Sequence, residues 1–114
     1  MSAEMIRGEP MIVRAEGEID LANVAAFESA LDEAARTSPP GFTIDLTDVT
    51  YIDSAGVQAL FAIYWKVRET DGSLALVVGN PIIRSVLEVV HMEQLPGVTV
   101  YEDLGAATST SPEG

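Results

Sequence analysis

Met11, Val13, Ala15, Gly17 and Ile19 alternate with Arg14, Glu16 and Glu18. Period two over that length predicts a strand with one face buried. Before it, Gly8 and Pro10 punctuate Arg7 to Pro10, which reads as a short strand or turn. Asp20 ends the strand and is placed to cap the next helix. From Leu21 to Arg36, Val24, Phe27, Leu31 and Ala34 share one helical face, with Glu28, Asp32 and Glu33 opposite. Ser38-Pro39-Pro40-Gly41 breaks the chain. Phe42, Ile44 and Leu46 then face one way and Thr43 and Asp45 the other, which predicts a second strand. Thr47 to Thr50 reads as a polar connection, after which Tyr51 and Ile52 return to the core.

A second helix is expected from the Asp53-Ser54 join to Thr70. Its apolar stripe is Val57, Leu60, Phe61, Tyr64 and Val67. Asp71-Gly72 closes it, with glycine suited to a left-handed stop. Leu74 to Val78 is apolar without alternation, as in a strand buried on both faces. Gly79-Asn80-Pro81 supplies a turn, an N-cap and a proline in the first helical turn. Ile82, Ile83, Val86, Leu87 and Val90 continue that helix to His91. Leu95-Pro96-Gly97 turns the chain into a last short strand, Val98 to Tyr101. A brief final helix is read near Asp103 to Ala107, and Gly105 to Gly114 is small, polar and Pro-containing, the composition of a disordered tail. Strands alternating with helices of crossover length predict a mostly parallel sheet in a small α/β layered domain.

The 114 residues, 47% of them hydrophobic, fit one domain with a real core. Charge changes the picture more. Eighteen acidic residues face six Lys plus Arg, a net charge of −12. Such a surface repels nucleic acid and anionic lipid, so neither is expected as a partner, and a basic protein surface is. The absence of cysteine removes disulfides, thiol catalysis and most structural zinc sites. No signal pattern opens the chain and no apolar run nears a bilayer span, so the expected location is cytoplasmic.

Candidate chemistry gathers at Asp53-Ser54. Serine and aspartate accept hydrogen bonds from the free N–H groups of a helix start, which makes the pair a cap. A hydroxyl there also sits in a positive field suited to carrying a phosphate. The two readings are compatible. A hydrolase reading fits poorly: Ile52 stands where the nucleophile elbow needs a first glycine, and His91, the one histidine, sits at a helix end. Asp45, Asp48 and Asp53 follow no calcium-loop spacing and read as a solvated acidic rim. Glu16, Glu18 and Asp20 read as a solvated strand face. A phosphate-binding loop is absent, and no cofactor is expected. Trp65 is either rim packing or a contact residue. Phosphate on Ser54 would add about −1.5 to −2 charges, tolerable inside the domain but not at an acidic interface.

The run Ile44 to Leu60, containing Tyr51-Ile52-Asp53-Ser54-Ala55-Gly56-Val57, resembles the signature of STAS domains, the bacterial anti-sigma factor antagonists and their relatives. Gly17-Glu18-Ile19-Asp20, Gly72 to Leu76 and Pro81 to Val90 extend the likeness across Met11 to Ala107. The resemblance implies a four- or five-stranded mixed sheet beside about four helices, with a STAS domain over 1–107 and a disordered tail over 108–114. It also implies a stress-response, partner-switching regulator of transcription rather than an enzyme. In that scheme a kinase-type anti-sigma factor phosphorylates Ser54 and lets go, and a serine phosphatase resets the chain. Asp20, Asp53, Ser54, Ala55, Gly56 and Val57 are then the partner-facing residues. Ala55 replaces a frequent second serine, and Leu21, Ala22 and Asn23 stand where a threonine is common. His91 and Met92 replace a Gly-hydrophobic pair, a turn that histidine can adopt. The alternative within the resemblance is a STAS subunit of a lipid-transport complex or stress-sensing particle, with a structural serine.

Overall fold

Five consecutive buried residues, Phe42 to Leu46, mark the centre of the molecule. Strand side chains alternate between faces, so both faces of this strand are covered. It is β3 (Gly41–Ile52) in a computed structural model that describes residues 1–6, 11–37 and 41–109. The other strands are β1 (Ser2–Ile6), β2 (Ile12–Ile19), β4 (Ser73–Val77) and β5 (Val98–Tyr101). The helices are α1 (Val24–Thr37), α2 (Ser54–Arg68), α3 (Pro81–Val89) and α4 (Leu104–Ser109), with a 3-10 turn at Met92–Gln94. The strands lie in chain order, β1-β2-β3-β4-β5. β1 is antiparallel to β2, and every later pair is parallel. The α/β architecture and mixed, mostly parallel sheet agree with expectation.

The short strand or turn expected at Arg7 to Pro10 lies outside the described residues. β1 is instead at Ser2–Ile6, paired Met5 to Val13 and Ala3 to Ala15. Ala3 and Met5 pack against the core, whereas Ser2 and Glu4 are exposed. So brief an alternation is a weak signal by itself.

The largest departure concerns Thr47 to Thr50, which is strand and not connection. β2 and β3 pair in parallel with two register shifts, between Arg14/Glu16 and between Gly17/Glu18. Arg14 lies opposite Asp45 and Glu16 opposite Asp48; Gly17 lies opposite Val49 and Glu18 opposite Tyr51. Each shift places one extra residue on β3, which is a β-bulge. The buried positions after Leu46 are therefore Val49 and Ile52, a period of three. That spacing does not look like a strand on paper.

Asp45 serves the first bulge. Its Oδ1 accepts from the Thr47 backbone N–H at 3.0 Å and from the Thr47 hydroxyl at 2.5 Å. Its Oδ2 accepts from Arg14 Nε at 3.4 Å. At 3% exposure Asp45 is no part of a solvated rim. A buried carboxylate must be paired and hydrogen-bonded, and this one is both.

The helices keep their predicted faces with adjustments. Phe27, Leu31 and Ala34 of α1 are buried, and each large apolar side chain so placed contributes about 1.5–3 kcal/mol. α1 begins at Val24, three residues later than expected, after a turn at Leu21 to Asn23. On α2 the buried set is Gly56, Ala59, Leu60, Ile63, Tyr64 and Val67, while Val57 and Phe61 lie at the margin of the core. α2 ends at Arg68, and it is Asp71, with φ of 57°, that takes the left-handed stop rather than Gly72. His91 is left-handed at φ of 60°, so the turn after α3 forms without glycine. α4 continues to Ser109, beyond the expected Ala107 and into the stretch read as tail. Residues 110–114 lie outside the described residues.

Candidate functional site

Crossover helices start where parallel strands end, so the carboxyl edge of the sheet collects helix N-termini. There β2 ends at Ile19 and β3 at Ile52, paired with each other, and the Asp53 N–H donates to the Ile19 carbonyl at 3.1 Å. Asp53 is thereby fixed beside the β2–α1 turn. Its backbone is extended, as an N-cap requires. Oδ1 accepts from the Ala55 and Gly56 N–H groups at 2.9 and 3.2 Å. Oδ2 accepts from the Leu21 N–H at 3.1 Å. One carboxylate thus caps α2 and ties it to the loop leaving β2.

Ser54 is the first residue of α2 and is exposed. Among the described residues no group hydrogen-bonds its hydroxyl. The cap of the Asp53-Ser54 pair is Asp53 alone. The expectation of several free N–H groups around Ser54 needs correction, because Asp53 already occupies those of Ala55 and Gly56. A phosphate on Ser54 would keep the helix dipole on its side but would stand beside a carboxylate.

The six residues expected to face a partner do not behave alike. Asp20 is half-buried; its Oδ1 accepts from the Ala22 N–H at 3.0 Å, closing a turn rather than capping α1 directly. Asp53 and Ala55 are half-buried, and Val57 packs partly against the core. Gly56 is buried. A Cβ there would lie 2.5 Å from Ile52 Cγ1 and 2.9 Å from Ile19 Cγ2. Gly56 therefore seats α2 on the ends of β2 and β3.

From the sequence, Asn23 is only one of three departures from a common threonine, with no role assigned. Its Oδ1 accepts from the Asp20 N–H at 3.0 Å and its Nδ2 donates to the Glu18 carbonyl at 2.9 Å. It braces the loop in the stretch where the family commonly has a threonine; an Asn three residues after an Asp was the available signal. Beside it Leu21 is 78% exposed. On the far side of β3, Asn80 caps α3 by accepting from the Ile82 N–H at 2.8 Å, and its Nδ2 reaches the Val49 carbonyl at 3.4 Å. Crossover helices run back against the strands, so α3 carries His91 away from the edge where Ser54 stands, which leaves Ser54 without an imidazole base. Asp48 is exposed, and among the described residues no group of three or more His, Asp or Glu could hold a metal ion.

The STAS domain family model matches residues 3–107. The chain belongs to the STAS family. Among curated relatives, the anti-sigma-F factor antagonist RsfB of Mycobacterium tuberculosis is 37% identical over 54 residues, 47% of this chain and 44% of RsfB. The matched segment thus spans less than half of that relative. A STAS-domain containing protein of Pseudomonas aeruginosa is 25% identical over 88 residues, 77% of this chain and 86% of its own. Among solved structures, an anti-sigma factor antagonist from Mycobacterium paratuberculosis superposes with a TM-score of 0.81 at 27% identity, covering 93% of this chain and 89% of that one. In this STAS domain no described helix is long and apolar enough to cross a membrane.

Proposed function

We propose that this STAS domain is an anti-sigma factor antagonist whose grip on a kinase-type anti-sigma factor is released by phosphorylation of Ser54. One observation carries the reading: Asp53 alone does the capping, and among the described residues the exposed Ser54 hydroxyl holds no hydrogen bond. The names of RsfB and of the Mycobacterium paratuberculosis neighbour support the antagonist role.

In the switching step the Ser54 oxygen attacks the γ-phosphorus of ATP held by the kinase. The new O–P bond replaces the bond to the bridging oxygen, ADP leaves, and the hydroxyl proton passes to a base on the kinase. The product carries about −1.5 to −2 added charges beside Asp53, whose amide donors are already taken. The fold absorbs this because the group points to solvent. A partner docked on that edge does not, because it must desolvate the phosphate against a chain of net charge −12. A serine phosphatase would restore the binding form. Asp20, Asp53, Ala55 and Val57 would border the contact.

The test is incubation with a purified kinase-type anti-sigma factor and ATP, followed by mapping of the modified residue by mass spectrometry. Phosphate on Ser54 is expected. Phosphate at another residue, or none with any such kinase encoded alongside the chain, would favour a subunit role in a larger assembly.

A further inference from the structure

From Ser54 to Trp65 no residue of α2 is charged, in a chain where 21% of residues are. The exposed members of that stretch are Ser54, Gln58, Ala62 and Trp65. At 3.6 residues per turn they fall within about 80° of one another, so they form one outward face. A surface helix of a water-facing domain normally sets charge on that side. Trp65 is 61% exposed. Its ring meets Tyr64 edge-on, with centroids 4.9 Å apart and planes at 71°. The Tyr64 hydroxyl donates to the Pro96 carbonyl at 2.8 Å. The indole thus rests edge-on against a buried ring that is itself anchored, and presents most of its surface outward.

The border of this face is mostly acidic, interrupted by Lys66 and Arg68 in the last turn of α2. Asp20 and Asp53 stand at one end and Glu69 at the other. Glu28 and Asp32 of α1 line the groove along its side, where Asp32 pairs with Lys66 at 3.2 Å. A partner must therefore offer an apolar pocket rimmed by Lys and Arg. A second copy of the chain offers the opposite rim, and two chains of net charge −12 repel.

We propose that the outward face of α2 is the far half of the anti-sigma factor's docking surface, with Trp65 as its anchor; this rests on the proposed role of Ser54. Eleven residues of helix place Trp65 about 16 Å from Ser54 along the axis. One interface of ordinary size, about 800 Å² per partner, covers both. The separation is about twice the Debye length at physiological salt, so phosphate on Ser54 acts at one end and leaves the anchor itself unchanged.

Trp65 is the sole tryptophan, so 5-fluorotryptophan gives a single ¹⁹F resonance from this site. The experiment titrates the labelled chain, and separately the W65A variant, with each purified kinase-type anti-sigma factor encoded alongside the chain. A shifted ¹⁹F resonance at saturation is expected, together with a loss of about 30-fold in affinity for W65A, the scale of an interface hot spot. The melting curve of W65A should match that of the parent, since the side chain is mostly in solvent. An affinity within twofold of the parent, or a resonance that does not move at saturation, overturns the inference while leaving Ser54 untouched. A shift produced by raising the chain's own concentration, with no partner present, makes the occupant a second copy and overturns it too. Failure of the parent chain to bind any such factor removes both this inference and the antagonist reading.

Discussion

α2 and α3 begin in the same way and end up with different capacities. Each follows a parallel strand, and each has an Asx residue whose side chain accepts from the N–H two residues on. Beyond that the two starts diverge. The cap of α2 is charged and also holds the Leu21 N–H, whereas the cap of α3 is neutral and donates to Val49. The first helical residue is Ser54 in one and Pro81 in the other. The third is Gly56 in one and the fully buried Ile83 in the other. α3 shows what a helix start of this fold requires, which is a cap and a third position matched to the space beneath it. A free hydroxyl is not among those requirements. Its presence on α2 therefore asks for an explanation that packing does not give.

The largest effect in this comparison belongs to the third helical position. Ile83 fills its site, but a side chain on Gly56 would enter the space of Ile52 and Ile19. Gly56→Val should cost about 3 kcal/mol by overpacking, read as a lower urea midpoint. A variant as stable as the parent would mean that α2 is not seated as described. The caps come next. Asp53→Ala leaves three N–H groups without their acceptor and should cost about 2 kcal/mol, against about 1 kcal/mol for Asn80→Ala. Asp53→Asn, which copies the α3 cap, keeps an oxygen for the Ala55 and Gly56 N–H groups but turns an amide NH2 toward the Leu21 N–H, so it should restore the capping part of the loss and not the tie to Leu21. Equal losses at the two caps would show that the tie to Leu21 is idle.

Much of this contrast could be read from the chain itself. Asn80-Pro81 and Asp53 announce helix starts through local chemistry, and local chemistry is what a sequence states most directly. The unbroken run of Leu74 to Val78 gave a buried strand for the same reason. What was hidden depends on pairing between distant segments. The bulges of β3 arise only when it is laid against β2, and they turn Thr47 to Thr50 from a polar connection into strand. Asp45 changes from rim to buried bulge support through Arg14 and the Thr47 backbone. Ile82 belongs to the apolar pattern of α3 yet is 69% exposed, because the helix rests on Ile83 and Leu87 instead. At the site, the serine and its setting were legible, but which of the adjacent pair does the capping was not. Two neighbouring side chains can both cap on paper, and only the backbone at Asp53 assigns the task.

The smallest effect on the fold is expected at Ser54, and there the functional claim is decided. Ser54→Ala and Ser54→Asp should each unfold within about 0.5 kcal/mol of the parent, as surface changes do. Their affinities for the anti-sigma factor should part company. By calorimetric titration, the alanine variant is predicted to bind like the unmodified chain, and the aspartate variant at least about tenfold more weakly, a difference of about 1.4 kcal/mol. Equal affinities for the two, both folded, would contradict the proposal that this hydroxyl governs the partner's release.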